Sequence, residues 1–359
     1  MFLLSKDLKF QEEISKVITE FRDEFLDTSE GYKLPTISFD SKYESEETDM
    51  KAVLTISMPI CNQEEIIESI LDTLFQSISL AARIVLVLDA CIDASEDRVK
   101  NFLSNRDEES EKVLDVTILK STGDLFEASC EAICLKLTST EFFVSLQSDI
   151  YMNDPTFFER SIQAMTKYTD IAGISGKAVV PLYPKSLIPL KRGLSRSILN
   201  LPTRLYGKGP LFLGKFGSPR IYFGDVSRPV STSMYFSKRA RRTVFLGHSI
   251  IRGPILWRTS SLVEIGGINH KSYFLGWDDY DVSYRLWKVL MQRVGFLPSS
   301  CYSIPNTGTN SKPRKKLANR LYSERNELAT RFPGELNVLW KNLGQESVDL
   351  LPPYEKREF

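Results

Sequence analysis

Residues 53–93 read VLTISMPICNQEEIIESILDTLFQSISLAARIVLVLDACID, and the fold follows from how this stretch alternates. It opens with a short apolar, β-branched run at residues 53–58, which predicts a strand. The helical pattern of residues 64–77 follows, then a second strand at 84–88 that breaks into Asp89-Ala90-Cys91-Ile92-Asp93. Working outward, the alternation continues with a helix over 95–103, a strand over 113–119, a helix over 125–137, a strand over 142–146 and a helix over 155–168. Four strand-helix units in a row predict an α/β fold with a mostly parallel central sheet flanked by helices.

Open sheets of this kind take ligands at the carboxyl ends of their strands. Polar residues recur there: Pro59-Ile60-Cys61-Asn62 after the first strand, Asp89 to Asp93 after the second, and Gln147-Ser148-Asp149 after the fourth. No GxGxxG or GxxxxGK[ST] pattern follows any strand, which argues against a dinucleotide or phosphate-loop fold.

The flanking regions divide the chain further. Residues 1–50 hold an amphipathic helix over 6–26 and an acidic segment, 38–50, that reads as a linker. Residues 51–180 form the first half of the sheet domain, 181–252 a basic insertion rich in Pro, Gly, Arg and Lys, and 253–310 a second compact half. That second half contains a strand near 255–257, the Gly266-Gly267 turn and a helix over 279–291; residues 311–359 read as a basic and then helical tail.

The 359 residues carry 46 basic and 46 acidic side chains, so no overall charge favours nucleic acid. The distribution is uneven. Residues 171–263 hold one acid, Asp225, against 16 Lys or Arg, while residues 1–50 hold 13 acids against 6 bases. Such polarity implies opposed surfaces or an anionic ligand on the basic side. Five cysteines, an odd number without a CxxC, fit reduced thiols in the cytoplasm. No apolar run has the length of a membrane span, so the expected location is cytoplasmic, with any membrane contact peripheral, at the inner face, through the basic insertion.

Two places carry chemistry. Asp149, at a strand end, suits a carboxylate ligand for Mg2+ or Mn2+ shared with phosphate oxygens, and equally a turn or helix cap. The run Gly276-Trp277-Asp278-Asp279-Tyr280-Asp281 crowds three carboxylates into four residues. That crowding is tolerated at a helix N-terminus, beside a cation or in solvent, and it suits a general base. Asp281 and Arg285, spaced i, i+4, form a structural pair. An acidic helix cap with Trp277 as packing explains the same run. His248 and His270 are too scattered for a metal site and read as surface or packing residues.

In order and spacing, the motifs resemble those of the family 2 glycosyltransferases, over residues 53–181 and 253–310. Pro59-Ile60-Cys61-Asn62-Gln63-Glu64 matches the family's Pro-x-x-Asn-x-Glu; Asp89 and Asp93 match its paired acids; Asp149 takes the last place of its Asp-x-Asp. Arg258, Gly266, Gly267, Asp278, Asp279, Asp281, Arg285 and Leu286 follow the order of its late motif.

The resemblance implies the GT-A fold, with its Rossmann-like sheet, and an inverting transfer from a nucleotide diphosphate sugar, UDP favoured, to a hydroxyl of a glycan or lipid-linked glycan. It implies Asp279 as general base and Asp278 and Trp277 at the acceptor. Pro59, Asn62, Glu64, Asp89, Asp93 and Gln147 line the nucleotide, with Asp149 on a divalent cation. The sequence departs from the family at four points: Gln147 in place of the first metal-motif acid, Leu88 before Asp89, Glu131-Ala132 where an Arg-Asn pair is usual, and Asn306 where a late His is usual. Asn306 is a weak metal ligand, and Lys312 and Arg314 are the basic residues available to the diphosphate; a solvated tail explains them as well.

A non-catalytic nucleotide-sugar or glycan-binding protein on the same fold is the main alternative, motivated by Gln147 and Asn306. A nucleotidyltransferase is disfavoured, because Asn62-Gln63-Glu64-Glu65 is the opposite of the basic, Gly-rich loop it would place after the first strand.

Overall fold

The computed structural model describes residues 2–5, 7–26, 35–45, 50–106, 112–176, 240–247, 250, 253–271, 273, 278–299, 301–303, 316 and 355–359. The first half runs β1 (Phe2–Leu4), α1 (Leu8–Leu26), β2 (Ile37–Ser45), β3 (Leu54–Ile60), α2 (Ile67–Ser77), β4 (Ala82–Asp89), α3 (Ser95–Ser104), β5 (Val113–Ser121) and α4 (Phe126–Lys136). It continues through β6 (Phe142–Ser145), β7 (Ile150–Tyr151), α5 (Phe157–Lys167) and β8 (Ile171–Ser175). The second half has β9 (Thr243–Gly247), β10 (Ile255–Arg258), α6 (Thr259–Glu264), α7 (Asp278–Leu290), β11 (Arg293–Phe296), β12 (Tyr302–Ser303) and β13 (Glu355–Glu358).

Eleven strands form one sheet in the order β1-β2-β5-β4-β3-β6-β10-β8-β11-β9-β13. Strands β5, β4, β3 and β6 are mutually parallel, and β8 is parallel to β11. The parallel centre is covered on both faces, so its strands read as nearly unbroken apolar runs; every residue of β3 is buried. Alternation along β4 divides the core. Ile84, Leu86 and Leu88 pack with Ile70, Leu74 and Phe75 of α2 and Val99 of α3, whereas Val85 and Val87 face Ile14, Ile18 and Phe21 of α1 and Ile133 of α4. The expected α/β architecture with a largely parallel, helix-flanked sheet is present.

Three segments differ from their sequence reading. The supposed linker contains β2, which pairs antiparallel with β5: Ile37 and Tyr43 are buried, while Lys42 neutralises Glu44 at 2.7 Å and Lys100 neutralises Asp40 at 3.0 Å. Within the basic insertion, Thr243–Gly247 is a fully buried strand paired with β11, as its Thr-Val-Phe-Leu content allows. The tail ends in β13, which pairs with β9; Arg357 anchors it to Asp170 of the neighbouring loop at 2.5 Å. Apart from Lys316, residues 311–354 lie outside the described residues, and so does most of the insertion. Among the described residues no helix is long and apolar enough to cross a membrane.

Candidate functional site

The connections β3-α2-β4 and β4-α3-β5 move across the sheet in one direction, and the chain then returns to place β6 on the other side of β3. The gap between β3 and β6 is therefore the topological switch point, where an open α/β sheet forms its ligand crevice. Pro59 helps open it. The Leu146 amide donates to the Ser57 carbonyl at 3.0 Å, and beyond that bond Pro59 has no N–H with which to extend the ladder toward β6.

The loops bordering the crevice are tied to each other. The Gln63 amide donates to Ser95 Oγ at 2.6 Å and the Glu64 amide to Asp93 Oδ2 at 3.1 Å. In return, the Ile92 amide donates to Asn62 Oδ1 and the Ala94 amide to Glu64 Oε2, both at 2.9 Å. Asn62, Glu64 and Asp93 are thus brought together as the lacing of two loops. Burial pushes the Asp93 carboxyl up, but the hydrogen bonds from Ser95 and from the backbone of Glu64 outweigh it and hold the group below its ordinary value.

Asp89 is fully buried, and both of its carboxylate oxygens are engaged. Oδ1 accepts from the Leu125 amide at 2.7 Å and from Ser121 Oγ at 3.2 Å; Oδ2 accepts from the Phe126 amide at 3.1 Å. Asp89 therefore fixes the entry to α4, and a nucleobase bonded to it directly would share these oxygens with the α4 donors. Backbone strain gathers at the same edge: Asn62, Ala90 and Phe126 have φ of 51°, 52° and 63°. Asn tolerates this region, but for Ala90 and Phe126 it costs roughly 1–3 kcal/mol each, strain of the kind that clusters at functional sites.

At the end of β6, Gln147 Nε2 donates to Glu127 Oε1 of α4 at 2.6 Å. One turn along, Glu131 Oε2 accepts from Ser145 Oγ at 3.1 Å, and Ser145 Oγ accepts from Trp257 Nε1 at 3.2 Å. Sequence reading passed over Glu127; α4 buries every residue from Phe126 to Leu135, Glu127 among them. Asp149 is half-buried in the turn to β7. Strand β7 pairs with β12, Ile150 opposite Ser303. Asn306, with Lys312, Arg314 and Trp277, lies outside the described residues.

Because β11 runs parallel to the central strands, α7, which feeds it, starts at their carboxyl edge. Asp278 and Asp279, in its first turn, are 3% and 5% exposed on the same edge as Asp89 and Asp149. Ser283 Oγ bonds the Asp279 carbonyl at 2.6 Å, which steadies that turn. Arg285 grips Asp281 at 2.6 Å and the Ile265 carbonyl at 2.6 Å, the structural pairing its spacing predicts. Burial raises the Asp281 carboxyl above its ordinary value, and the charge of Asp278 adds to this, against the pull of Arg285.

His270 packs its ring on Phe21 at 4.7 Å, and burial pushes the Cys134 and Cys301 thiols up to about 12, so neither thiol is a nucleophile. Among the described residues no group of three or more His, Cys, Asp or Glu could hold a metal by itself. A single carboxylate such as Asp149 suits a hard cation only where other oxygens, such as those of a phosphate, complete the coordination.

No family model and no curated protein sequence matches this chain. Several solved structures are similar in part. The mannosyltransferase PcManGT from Pyrobaculum calidifontis, in complex with GDP-Man and Mn2+, shares 11% identity over 87% of this chain and 70% of its own, with a TM-score of 0.45. S. aureus TarS 1-349 in complex with UDP shares 11% over 82% and 72%, at 0.44. GalNAc-T7 with UDP, GalNAc and Mn2+ shares 12% over 84% of this chain but 54% of its own, at 0.47. Likenesses this distant leave the reading to rest on the chain's own residues.

Proposed function

We propose that this chain is an inverting glycosyltransferase of the family 2, GT-A type, moving a sugar from a nucleotide diphosphate donor, UDP-sugar favoured, to a hydroxyl of a glycan or lipid-linked glycan. One observation carries the reading: the buried Asp278-Asp279 pair opens a helix at the same sheet edge as the switch-point crevice between Pro59 and Gln147.

Asp279 takes the proton of the acceptor hydroxyl as its oxygen attacks the anomeric carbon. The bond from that carbon to the diphosphate oxygen breaks, the nucleoside diphosphate leaves with the electron pair, and the configuration inverts. Asp278 holds the acceptor, with Trp277 as a stacking surface for a sugar ring. Asp149 is the protein ligand for Mn2+ or Mg2+, which, when bound, screens the charge of the departing diphosphate. Asp89 supports the nucleotide side through the turn into α4 that it fixes, and the laced residues Asn62, Glu64 and Asp93 keep the crevice rim in place. Lys312 and Arg314 supply positive charge to the diphosphate, and the basic insertion faces an anionic acceptor.

The test is release of nucleoside diphosphate from a panel of UDP- and GDP-sugars with Mn2+. Release should fall at least about 100-fold in Asp279→Asn, because a positioned base contributes on the order of 10²–10⁴. Unchanged release in that variant removes Asp279 as base. Donor binding without any release, in the wild type and across acceptors, favours the binding-protein alternative for which Gln147 speaks. Failure to bind any donor removes the whole reading.

A further inference from the structure

Helix α4 presents two buried carboxylates one turn apart, Glu127 at 2% and Glu131 at 3% exposure, to alternate residues at the end of β6. Glu131 holds Ser145, and through it Trp257 of β10; this contact secures the middle of the sheet. Glu127 holds Gln147, which borders the crevice itself and is 8% exposed.

The chemistry of that second contact is directional. A carboxylate accepts hydrogen bonds and an amide has one face of each kind, so Gln147 must turn its NH2 toward Glu127. Its carbonyl Oε1 is then the group left for anything that enters between β3 and β6. A carbonyl accepts, so it welcomes a hydroxyl and not a phosphate oxygen. The same contact accounts for a neutral residue at this strand end: a carboxylate at position 147 would face Glu127 at hydrogen-bond distance, like charge against like charge.

We infer that Glu127 is a positioning residue of the crevice, locking the Gln147 amide so that its carbonyl receives a ribose hydroxyl of the nucleotide. The inference rests on the donor reading above and adds a selectivity determinant to it.

Binding of UDP and of GDP to the full chain with Mn2+ tests it by calorimetry, together with the 2′-deoxy and 3′-deoxy forms of whichever nucleotide binds. The wild type should prefer the ribonucleotide about tenfold over one deoxy form, the worth of one such hydrogen bond. Glu127→Gln offers Gln147 either an oxygen or an amide and frees its orientation, so the preference should shrink to about threefold or less. Because a buried substitution can impair folding, the pair is also exchanged: Gln147→Glu alone should weaken ribonucleotide binding at least about tenfold, and Gln147→Glu with Glu127→Gln should restore it. A wild type without preference, a preference untouched by Glu127→Gln, or an exchanged pair that restores nothing overturns the inference and leaves the donor reading standing. No binding of either nucleotide to the wild type overturns both.

Discussion

Replacing Asp89 with alanine should cost the fold about 3 kcal/mol, and the figure follows from its three donors. The amides of Leu125 and Phe126 are buried, with these residues 2% and 0% exposed, and both donate to the Asp89 carboxylate. Orphaning a buried donor costs roughly 1–3 kcal/mol, so two give roughly 2–6. Ser121 Oγ can turn to the Gly123 carbonyl, with which it is already bonded at 2.7 Å, so it adds little. Against this, Phe126 is held at φ 63° by the contact, and release lets it recover part of roughly 1–3 kcal/mol of strain. Asp89→Asn should lose about half as much, because its oxygen still accepts one amide while its NH2 is set against the other N–H. The assay is the denaturant midpoint, with hydrogen exchange at Leu125 and Phe126 as the local readout. A loss below about 1 kcal/mol with unchanged protection of both amides would refute the capping role and return Asp89 to direct ligand contact.

Other outcomes follow from the same geometry. Ala90→Gly, at φ 52°, should be neutral or stabilise by up to about 1 kcal/mol in denaturation, whereas strain-free sites lose stability on this change. Gly173→Ala should destabilise by about 1–3 kcal/mol, since a Cβ there would lie 2.5 Å from the Trp257 ring; a neutral result would mean the ring moves freely. In the folded chain Asp281 binds its proton more readily than in the unfolded one, so its contribution to stability falls as pH rises from about 3.8 through its raised folded value. Arg285→Ala removes the group opposing that rise, so its cost should be small at about pH 3.5 and larger at about pH 7; equal costs at both would exclude the pairing. Removing residues 355–359 uncovers the edge of β9 and should promote self-association, seen by light scattering; an unchanged mass would show the edge protected in another way.

The central strands were legible because burial on both faces makes them apolar runs, and α2, α3 and α5 because each shows one apolar stripe. Strand β2 was not: its acids, Asp40 and Glu44, suggest solvent, yet Glu44 pairs with Lys42 on the same strand and Asp40 with Lys100 of α3, a partner distant in the chain. Strands β9 and β13 are four or five residues long and gain their order from long-range pairing, which no local pattern records. At the site, residue types were readable but contacts were not. Asn62, Glu64 and Asp93 were read as ligand contacts from the motif resemblance, yet here each satisfies a backbone amide of a neighbouring loop. Glu127 went unread because nothing in a single sequence tells a buried helix acid from a solvated one.

The lacing of the two rim loops has a kinetic consequence. Each loop's amides are protected by side chains of the other, so neither opens without uncapping its neighbour. Gln63, Glu64, Ile92 and Ala94 should therefore exchange their amide hydrogens together, as one opening unit, at a common rate. The same reciprocity constrains redesign: a loop grafted onto either strand end arrives with half of its clasp missing, and only the two transplanted as a set would close.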